Sequence, residues 1–202
     1  MGKTLIIDHV FMICEKTEEN YHEMMVHPVM QILLQKGKKN INALIIGGGD
    51  GGAARELLRY EELEKVVVAE LDGDVISSCR EHIPKTGKAF DHEKVKIQLG
   101  DGLAYVESTK DKYDVILCDG CDPVGEACNL FAEKFYENCH KILSDNGIFL
   151  TQGESPMAYQ EQFMKTHNHL KNKFGETNSG FIFYHQPIYE FGLWAFQVAI
   201  KS

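Results

Sequence analysis

The feature that most constrains the fold is the regular alternation of short apolar segments with helical patterns, which begins at residue 43. The apolar segments are A-L-I-I, K-V-V-V-A-E-L, K-V-K-I-Q-L, D-V-I-L-C and G-I-F-L-T-Q, and the helical patterns cover 53–60, 74–83, 131–143 and 159–174. Strands that are apolar throughout are typical of a parallel sheet with helices on both faces. The sequence therefore predicts an α/β fold with a Rossmann-like, doubly wound and mostly parallel sheet.

The two ends of the chain depart from this alternation. Near the start, T-L-I-I and V-F-M-I-C-E predict a short β-hairpin. A helix is predicted over 21–37, and Pro28 is expected to bend it or to mark its start. Near the other end, 181–189 and 193–201 follow each other without a helix between them, so they are predicted to pair as antiparallel edge strands.

Length and composition limit the domain organisation of the chain and the classes of partner that it can bind. The 202 residues, 44% of them hydrophobic, allow one sizeable core, and we expect a hairpin-and-helix segment, 1–36, followed by a Rossmann-like catalytic domain, 37–202. With 30 acidic and 21 basic residues the net charge is -9, so the average surface repels a phosphate backbone and no nucleic-acid partner is expected. The apolar runs are shorter than the ~20 residues of a membrane helix, and the start lacks a signal-peptide pattern. A cytoplasmic protein without a membrane partner is predicted.

Six cysteines stand at positions 14, 79, 118, 121, 128 and 139. Without a secretory signal they predict reduced thiols rather than disulfides. Cys118 and Cys121 form the C-x-x-C spacing of some zinc and redox sites, but Cys118 lies in an apolar run and there is no second closely spaced pair. Buried, unreactive thiols are therefore the favoured interpretation, and no metal is expected.

Residues that follow strands carry the most information on function, because ligands of open parallel sheets bind beyond the carboxyl ends of the strands. After A-L-I-I comes G-G-G-D-G-G, in which Gly47, Gly49 and Gly52 occupy the positions of a G-x-G-x-x-G pattern. These glycines let the backbone approach a nucleotide, and Glu70, at the end of the next strand, is placed to accept hydrogen bonds from ribose hydroxyls. The combination predicts a nucleoside site.

Two further acids bear on the kind of nucleoside. Asp50 lies inside the glycine loop, where a carboxylate repels a pyrophosphate but holds a positive group. S-adenosylmethionine and its decarboxylated form carry such a group, which makes the predicted fold one of the S-adenosylmethionine-dependent methyltransferase type. Asp101, beside Gly102 in the turn G-D-G, is suited to accept a hydrogen bond from the adenine amino group, with helix capping as the alternative.

The fourth strand ends at Asp119, and Asp122 follows in the turn D-G-C-D-P. An amine nucleophile has a pKa near ~10.4 by analogy with lysine, so at neutral pH it must lose a proton before it attacks. One carboxylate beside the attacked carbon can take that proton, and a second can hold another ammonium group. Asp119 and Asp122 are candidates for these roles, with an Asx-type turn closed by Pro123 as the alternative.

The motifs, in combination, resemble those of the polyamine aminopropyltransferases, the spermidine synthase family. G-G-G-D-G-G, E-L-D, G-D-G and D-G-C-D-P-V-G-E-A-C-N-L-F occur in the family's order, and the last is similar to the family's D-S-S-D-P-x-G-P-A-x-x-L-F. Y-H-E-M near the start and Q-P-I-Y-E-F-G-L-W near the end also match. The resemblance extends over nearly the whole chain.

This resemblance implies transfer of an aminopropyl group from decarboxylated S-adenosylmethionine, a co-substrate rather than a permanently bound cofactor, to a diamine such as putrescine. The products would be spermidine and methylthioadenosine. Asp119 would be the base that takes the amine proton, and Asp50 would hold the terminal amine of the co-substrate. Glu70 and Asp101 would bind the ribose and the adenine. The channel for the aminopropyl group and the amine would be lined by Tyr21, His22, Asp122, Tyr189 and Trp194.

The sequence departs from the family pattern in three places. The family usually has a longer N-terminal β domain, so glutamine contacts to the nucleoside and part of a subunit interface are not expected here, and a homodimer is left open. Gly120 and Cys121 replace two hydroxyl residues between the acids, and Glu126 replaces a proline.

Two alternatives to aminopropyl transfer stay open. A methyltransferase that uses intact S-adenosylmethionine shares this sheet and glycine loop, but it must seat the carboxylate of that cofactor near the loop, where Asp50 would repel it. A catalytically lapsed protein that binds nucleosides or polyamines would keep the pocket and show no turnover.

Overall fold

The computed structural model describes residues 2–120 and 133–202, which form a two-stranded hairpin and a seven-stranded sheet with helices on both faces. The strands are β1 (Thr4–Ile7), β2 (Val10–Cys14), β3 (Ile41–Gly47), β4 (Leu63–Glu70), β5 (Val95–Leu99), β6 (Tyr113–Asp119), β7 (Leu143–Gln152), β8 (Ser179–His185) and β9 (Leu193–Ile200). The helices are α1 (Glu18–Gln35), α2 (Gly52–Leu57), α3 (Gly73–His82), α4 (Pro84–Gly87), α5 (Gly102–Ser108), α6 (Glu133–Ile142) and α7 (Gln160–Phe174).

The order of strands in the large sheet is β5-β4-β3-β6-β7-β9-β8. The first five strands in this order pair in parallel, whereas β9 runs antiparallel to both β7 and β8. The predicted Rossmann-like sheet and its antiparallel C-terminal pair are thus confirmed, although β9 lies inside the sheet and β8 forms the edge. From β3 the chain continues to β4 and β5 on one side and then crosses to β6 on the other side of β3. Because the strand order reverses at this point, a ligand crevice is expected between β3 and β6.

Both faces of the sheet are covered by apolar side chains. On one face, Met25, Val29 and Leu33 of α1 belong to a fully buried cluster with residues of β3, β4 and β6. On the other face, Tyr136 of α6 and Phe174 of α7 pack in a cluster with sheet residues. Burial of each such side chain contributes roughly 1.5–3 kcal/mol. Since α1 shares its core with the sheet, the division between 1–36 and 37–202 stays a prediction.

The helix α1 begins earlier than predicted and includes Pro28. Proline lacks the N–H that would continue the helical hydrogen bonds, which costs stability inside a helix. Val26, Val29 and Met30 are fully buried around it, and their burial offsets that cost. The expectation that Pro28 marks the helix start was therefore wrong: the helix starts at Glu18.

The helix α5 was not predicted. Its N-cap is Asp101, whose side chain accepts a hydrogen bond from the Leu103 N–H at 2.8 Å. Val106 is its one fully buried residue, so the segment lacks the repeated apolar spacing by which a helix is recognised in a sequence. Within the described residues, no helix combines the length and apolarity needed to cross a membrane.

Candidate active site

The carboxyl ends of β3, β4 and β6 meet at the crevice between β3 and β6. Gly47 pairs with Asp119 across the two strands, and the Gly48 N–H donates to the Asp119 carbonyl at 3.1 Å. Here the described residues enclose a cavity of about 420 Å³. The predicted site residues that line it are Tyr21, His22, Gly49, Asp50, Glu70, Asp119, Tyr189 and Trp194.

The glycines of the loop leave room for other groups of the protein itself. A Cβ atom on Gly47 would lie 2.2 Å from the Asp119 carbonyl oxygen, and φ is +80° at this position. A Cβ on Gly49 would lie 2.7 Å from the Glu70 carboxylate, and one on Gly52 would lie 2.2 Å from the His22 ring. The G-x-G-x-x-G spacing is therefore required by one backbone carbonyl and two side chains that surround the loop, whatever ligand enters later.

Asp119 is half-buried and its carboxylate faces the cavity. The Tyr21 O–H donates to its Oδ1 at 2.6 Å, and its Oδ2 has no hydrogen-bond partner among the described residues. Burial and the nearby charge of Asp50 raise the pKa of Asp119 to about 6, although His22 and Tyr21 act in the opposite direction. The group is mostly ionised at neutral pH and is more basic than an ordinary aspartate.

Asp50 differs from Asp119 in its contacts. Its Oδ1 accepts a hydrogen bond from the Gly52 N–H at 2.6 Å and lies 3.3 Å from His22 Nε2. Burial alone would raise the pKa of Asp50, but His22 and the Gly52 N–H hold it below its ordinary value. The cavity therefore contains one carboxylate that is stably ionised and one that can take up a proton near neutral pH.

His22 separates Asp50 from a third acid. Its Nδ1 lies 2.8 Å from Glu18 Oε2, and its Nε2 faces Asp50. Burial disfavours the charged ring, but Asp50 and Glu18 outweigh this effect and raise the pKa of His22 to about 10. Because both ring nitrogens face acids, the protonated ring is favoured at this position, and the cluster of His22, Asp50 and Asp119 suits an organic cation.

Glu18 was not singled out in the sequence, because acids are common in the first turn of a helix. Here it is buried, and its two oxygens accept hydrogen bonds from Arg55 Nη1 at 2.7 Å and Nη2 at 2.9 Å. Lys85 Nζ lies 3.1 Å from Glu18 Oε1. Burial acts to raise the pKa of Glu18, but His22 and Arg55 lower it to about 2. Glu18 is therefore a permanent anion behind His22.

Glu70 is held against the glycine loop. Its Oε2 accepts from the Gly49 N–H and its Oε1 from the Asp72 N–H, both at 2.9 Å. Burial raises the pKa of Glu70 in spite of these hydrogen bonds. Asp101 is exposed and caps α5, and neither it nor Gly102 is among the described residues that line the cavity. The roles of Glu70 and Asp101 toward ribose and adenine stay predictions.

The far wall of the cavity is largely apolar and aromatic. The rings of Tyr189 and Trp194 are 4.8 Å apart, and Trp194 Nε1 donates to the Glu190 carbonyl at 3.1 Å. Val10 and Phe11 of the hairpin line the same space. Such a surface suits a chain of methylene groups. No sequence pattern pointed to these hairpin residues as part of the site, nor to the lining residues Gln152, Tyr159, Gln186 and Glu190.

Three residues singled out in the sequence belong to the segment after β6. Asp122, Cys121 and Glu126 lie outside the described residues. Four cysteines can be placed, and all four are buried: Cys14, Cys79, Cys118 and Cys139. Burial raises the pKa of the Cys118 thiol to about 12, so this thiol stays protonated at neutral pH, in agreement with an unreactive core residue.

Comparison with known proteins gives a consistent result. Residues 18–202 match the family model of the spermine/spermidine synthase domain. The polyamine aminopropyltransferase of Methanocaldococcus jannaschii is 38% identical over 201 residues, which cover 100% of this chain and 67% of that protein. The polyamine aminopropyltransferase of Clostridium botulinum is 39% identical over 206 residues, which cover 100% of this chain and 69% of that protein.

Solved structures extend this similarity to the fold. A spermidine synthase in complex with the transition-state analogue AdoDATO superimposes with a TM-score of 0.89 at 33% identity. The spermidine synthase of Thermotoga maritima gives a TM-score of 0.87 at 33% identity. Each match covers 96% of this chain, but 65% and 64% of the solved chains. This chain thus spans slightly less than two thirds of the length of these structures.

Proposed function

Because this chain belongs to the spermine/spermidine synthase family, we propose that it transfers the aminopropyl group of decarboxylated S-adenosylmethionine to a diamine such as putrescine. The products are spermidine and methylthioadenosine. The observation that carries the proposal is the pair of unlike carboxylates in one cavity: Asp50 is ionised and bound by a backbone N–H, whereas Asp119 has a pKa of about 6. A reaction between two cationic substrates that releases one proton needs both kinds of group.

In the proposed reaction, the diamine loses one proton to Asp119, and its neutral nitrogen attacks the methylene carbon next to the sulfonium. The new C–N bond forms as the C–S bond breaks, and the electron pair of that bond stays on sulfur. Positive charge thereby moves from sulfur to nitrogen. Asp119 is neutral once it holds the amine proton, so the ionised carboxylate of Asp50 in the same cavity stabilises the developing charge, more in the transition state than in the ground state.

The remaining groups have supporting roles in the proposal. Tyr21 donates to Asp119 Oδ1, which orients the second oxygen, Oδ2, toward the amine. Asp50 binds the terminal ammonium group of the co-substrate, and Glu70 binds its ribose. Tyr189 and Trp194 contact the methylene chain. Asp122 keeps its proposed role as a second ammonium ligand. The cytoplasm stays the predicted location. Whether the protein forms a homodimer stays open.

The alternative of a methyltransferase is disfavoured by charge. Asp50, Glu70 and Asp119 all line the cavity, so the carboxylate of intact S-adenosylmethionine would enter a negative field. Removal of that carboxylate by decarboxylation turns this repulsion into attraction, since an ammonium group alone remains. The same negative charges attract two cationic substrates.

The decisive experiment is a product assay. The purified protein is incubated with decarboxylated S-adenosylmethionine and a panel of diamines of increasing length, and methylthioadenosine and the extended amine are followed by mass spectrometry. A parallel arm contains intact S-adenosylmethionine and tests for methylated amines. We expect methylthioadenosine and an aminopropylated diamine in equal amounts in the first arm.

Each other outcome rejects the proposal in a distinct way. Methylated product in the second arm alone identifies a methyltransferase. Tight binding of decarboxylated S-adenosylmethionine in calorimetry without any turnover identifies a binding protein that has lost its activity. The variant Asp119→Asn distinguishes true transfer from slow non-enzymatic chemistry, because it keeps the cavity and removes the base.

A further inference from the structure

We propose that Glu18 is a positioning residue that holds His22 as an imidazolium between Asp50 and Asp119 and so sets the charge state of the reaction cavity. The effect on catalysis rests on the function proposed above. The effect on the charge of His22 does not, since it concerns the protein alone.

The geometry of Glu18 supports this role. The carboxylate is fully buried on the first turn of α1, and its Oε2 lies 2.8 Å from His22 Nδ1, one turn along the helix. Arg55 of α2 binds both of its oxygens, which fixes the plane of the carboxylate. Because Gly52 has no side chain, the His22 ring can lie directly against the glycine loop with Nε2 toward Asp50. The imidazole is thus hydrogen-bonded to Glu18 through Nδ1, and its Nε2 lies 3.3 Å from the Asp50 carboxylate without a hydrogen bond.

The charges around His22 come from every element that packs against it. Glu18 lies on its own helix, Asp50 on the glycine loop and Asp119 at the end of β6. Arg55 of α2 and Lys85 of α4 face Glu18 from behind. Tyr21 contributes a neutral phenol that is bound to Asp119. Three anions therefore surround the ring, and the two cations are placed on the far side of Glu18, where they keep Glu18 ionised.

The consequence for the reaction lies in the basicity of Asp119. A fixed positive charge on His22 favours the ionised form of Asp119, whereas Asp50 and Glu70 oppose it. If His22 were neutral, Asp119 would face two anions without a compensating cation. It would then be protonated over a wider pH range, so a smaller fraction of the protein would hold the ionised base at neutral pH. Glu18 thereby acts on the base through His22, without touching a substrate.

The test begins with the charge of His22 in the unmodified protein. The protein is labelled with ¹⁵N-histidine, and the imidazole nitrogens are followed by NMR between pH 5 and pH 9, with His22→Gln used to assign the signal. We expect both His22 nitrogens to remain protonated through pH 8. Deprotonation of His22 near the ordinary histidine pKa of ~6.5 would overturn the proposal without any activity measurement.

The variant Glu18→Gln then tests the cause. Glutamine keeps the size of the side chain and removes its charge, so we expect His22 to lose its proton at least about one pH unit lower than in the unmodified protein. In the same variant, the acid limb of kcat/KM is expected to move to higher pH. The matched control is Glu19→Gln, the neighbouring acid, which is half exposed and contacts Lys85. It is expected to change neither the NMR titration nor the pH profile.

The outcomes separate this proposal from the proposed function. An inactive protein in which His22 titrates as expected rejects the transfer reaction and keeps the role of Glu18. A folded Glu18→Gln variant with an unchanged His22 titration rejects the role of Glu18. A uniform loss of kcat/KM without a shift of the acid limb also rejects it, since that result indicates a purely structural residue.

Discussion

Two clusters of similar composition include residues of α1, and they differ in the origin of their positive charge. The inner cluster is His22, Asp50 and Asp119, and the outer cluster is Glu23, His27 and Glu56. Each combines one imidazole with two carboxylates. The nitrogen and oxygen atoms of each cluster that could bind a cation lie within 4.8 Å of one another. From residue types alone, the two would be equally good candidates for a functional site.

The outer cluster is already neutralised by arginine. Arg59 Nη1 lies 2.7 Å from Glu56 and 3.5 Å from Glu23, and Arg55 Nη2 lies 2.7 Å from the other oxygen of Glu56. His27 Nδ1 is 2.7 Å from the Tyr60 hydroxyl. The cluster lies partly at the surface, since the His27 side chain is 28% exposed. It has the contacts of a structural ion-pair network.

The inner cluster lacks such a partner. Among the described residues, no lysine or arginine forms an ion pair with Asp50 or Asp119, and His22 is the one cationic side chain that contacts them. The carboxylates are open to a cavity instead of to bulk water. A binding site for cations is therefore recognised by half-buried acids that lack a resident arginine or lysine. Residue types alone do not identify it.

The sharpest test of this difference removes one acid from each cluster. Asp119→Asn eliminates the proposed base, so we expect kcat for aminopropyl transfer to fall by about 10²–10⁴-fold. Glu23→Gln removes a carboxylate from the outer cluster and is expected to leave kcat unchanged. Single-turnover rates measured by mass spectrometry check both. Equal losses in the two variants would contradict the functional separation of the clusters.

A second test asks whether the inner cluster binds a cation. Asp50→Asn removes a charged acceptor, and loss of such an interaction corresponds to about 10–100-fold weaker binding of decarboxylated S-adenosylmethionine. Methylthioadenosine lacks the amine, so its affinity serves as the control and should change little. Calorimetric titration of both ligands provides the measurement. Equal weakening of both would assign Asp50 to the nucleoside or to the fold.

A third test uses pH. Asp119 must be ionised to accept a proton, and burial and Asp50 raise its pKa to about 6. We expect kcat/KM to fall about tenfold from pH 7 to pH 5, because the base becomes protonated over this range. Glu23→Gln should keep the same acid limb, whereas the residual activity of Asp119→Asn should lack it. An acid limb near pH 4 would show an ordinary, solvated aspartate.

The smallest effect is expected at the outer cluster. Arg59→Gln removes its resident cation, but the Arg59 side chain is 58% exposed, and exposed ion pairs contribute little to stability. We expect the midpoint of thermal unfolding to fall by at most a few degrees and kcat/KM to stay the same. A clear loss of activity in the folded variant would show that the two clusters are coupled through Arg55, which contacts both Glu18 and Glu56.

The elements that were predicted correctly are those with a strong local signal. Apolar strands such as β3 and β4 are confirmed because parallel strands are buried on both faces, and this burial is visible in the sequence. The helix α5 was missed because Val106 is its one buried residue, which leaves no repeated apolar spacing in the sequence. Its start depends on the N-cap at Asp101. The position of β9 inside the sheet depends on which strand it pairs with, and periodicity carries no information on pairing.

The candidate site shows the same limit. Asp50, Glu70 and Asp119 were predicted because they follow strands, and the ends of neighbouring parallel strands must meet. Glu18 was missed because its role arises from contact with Arg55, 37 residues away, and from burial that a helix-start pattern does not reveal. Local sequence therefore identifies the acids at the sheet edge, but not the network that sets their charge.

The close contact between Gly52 and the His22 ring has a consequence for mutation and selection. A Cβ at position 52 would lie 2.2 Å from the ring, so alanine at this position requires the His22 ring to shift or residue 22 to be smaller than histidine. The effects of substitutions at positions 22 and 52 are thus non-additive, a case of epistasis between a helix and a loop. A directed-evolution library that varies the loop alone would discard solutions that a paired library at these two positions retains.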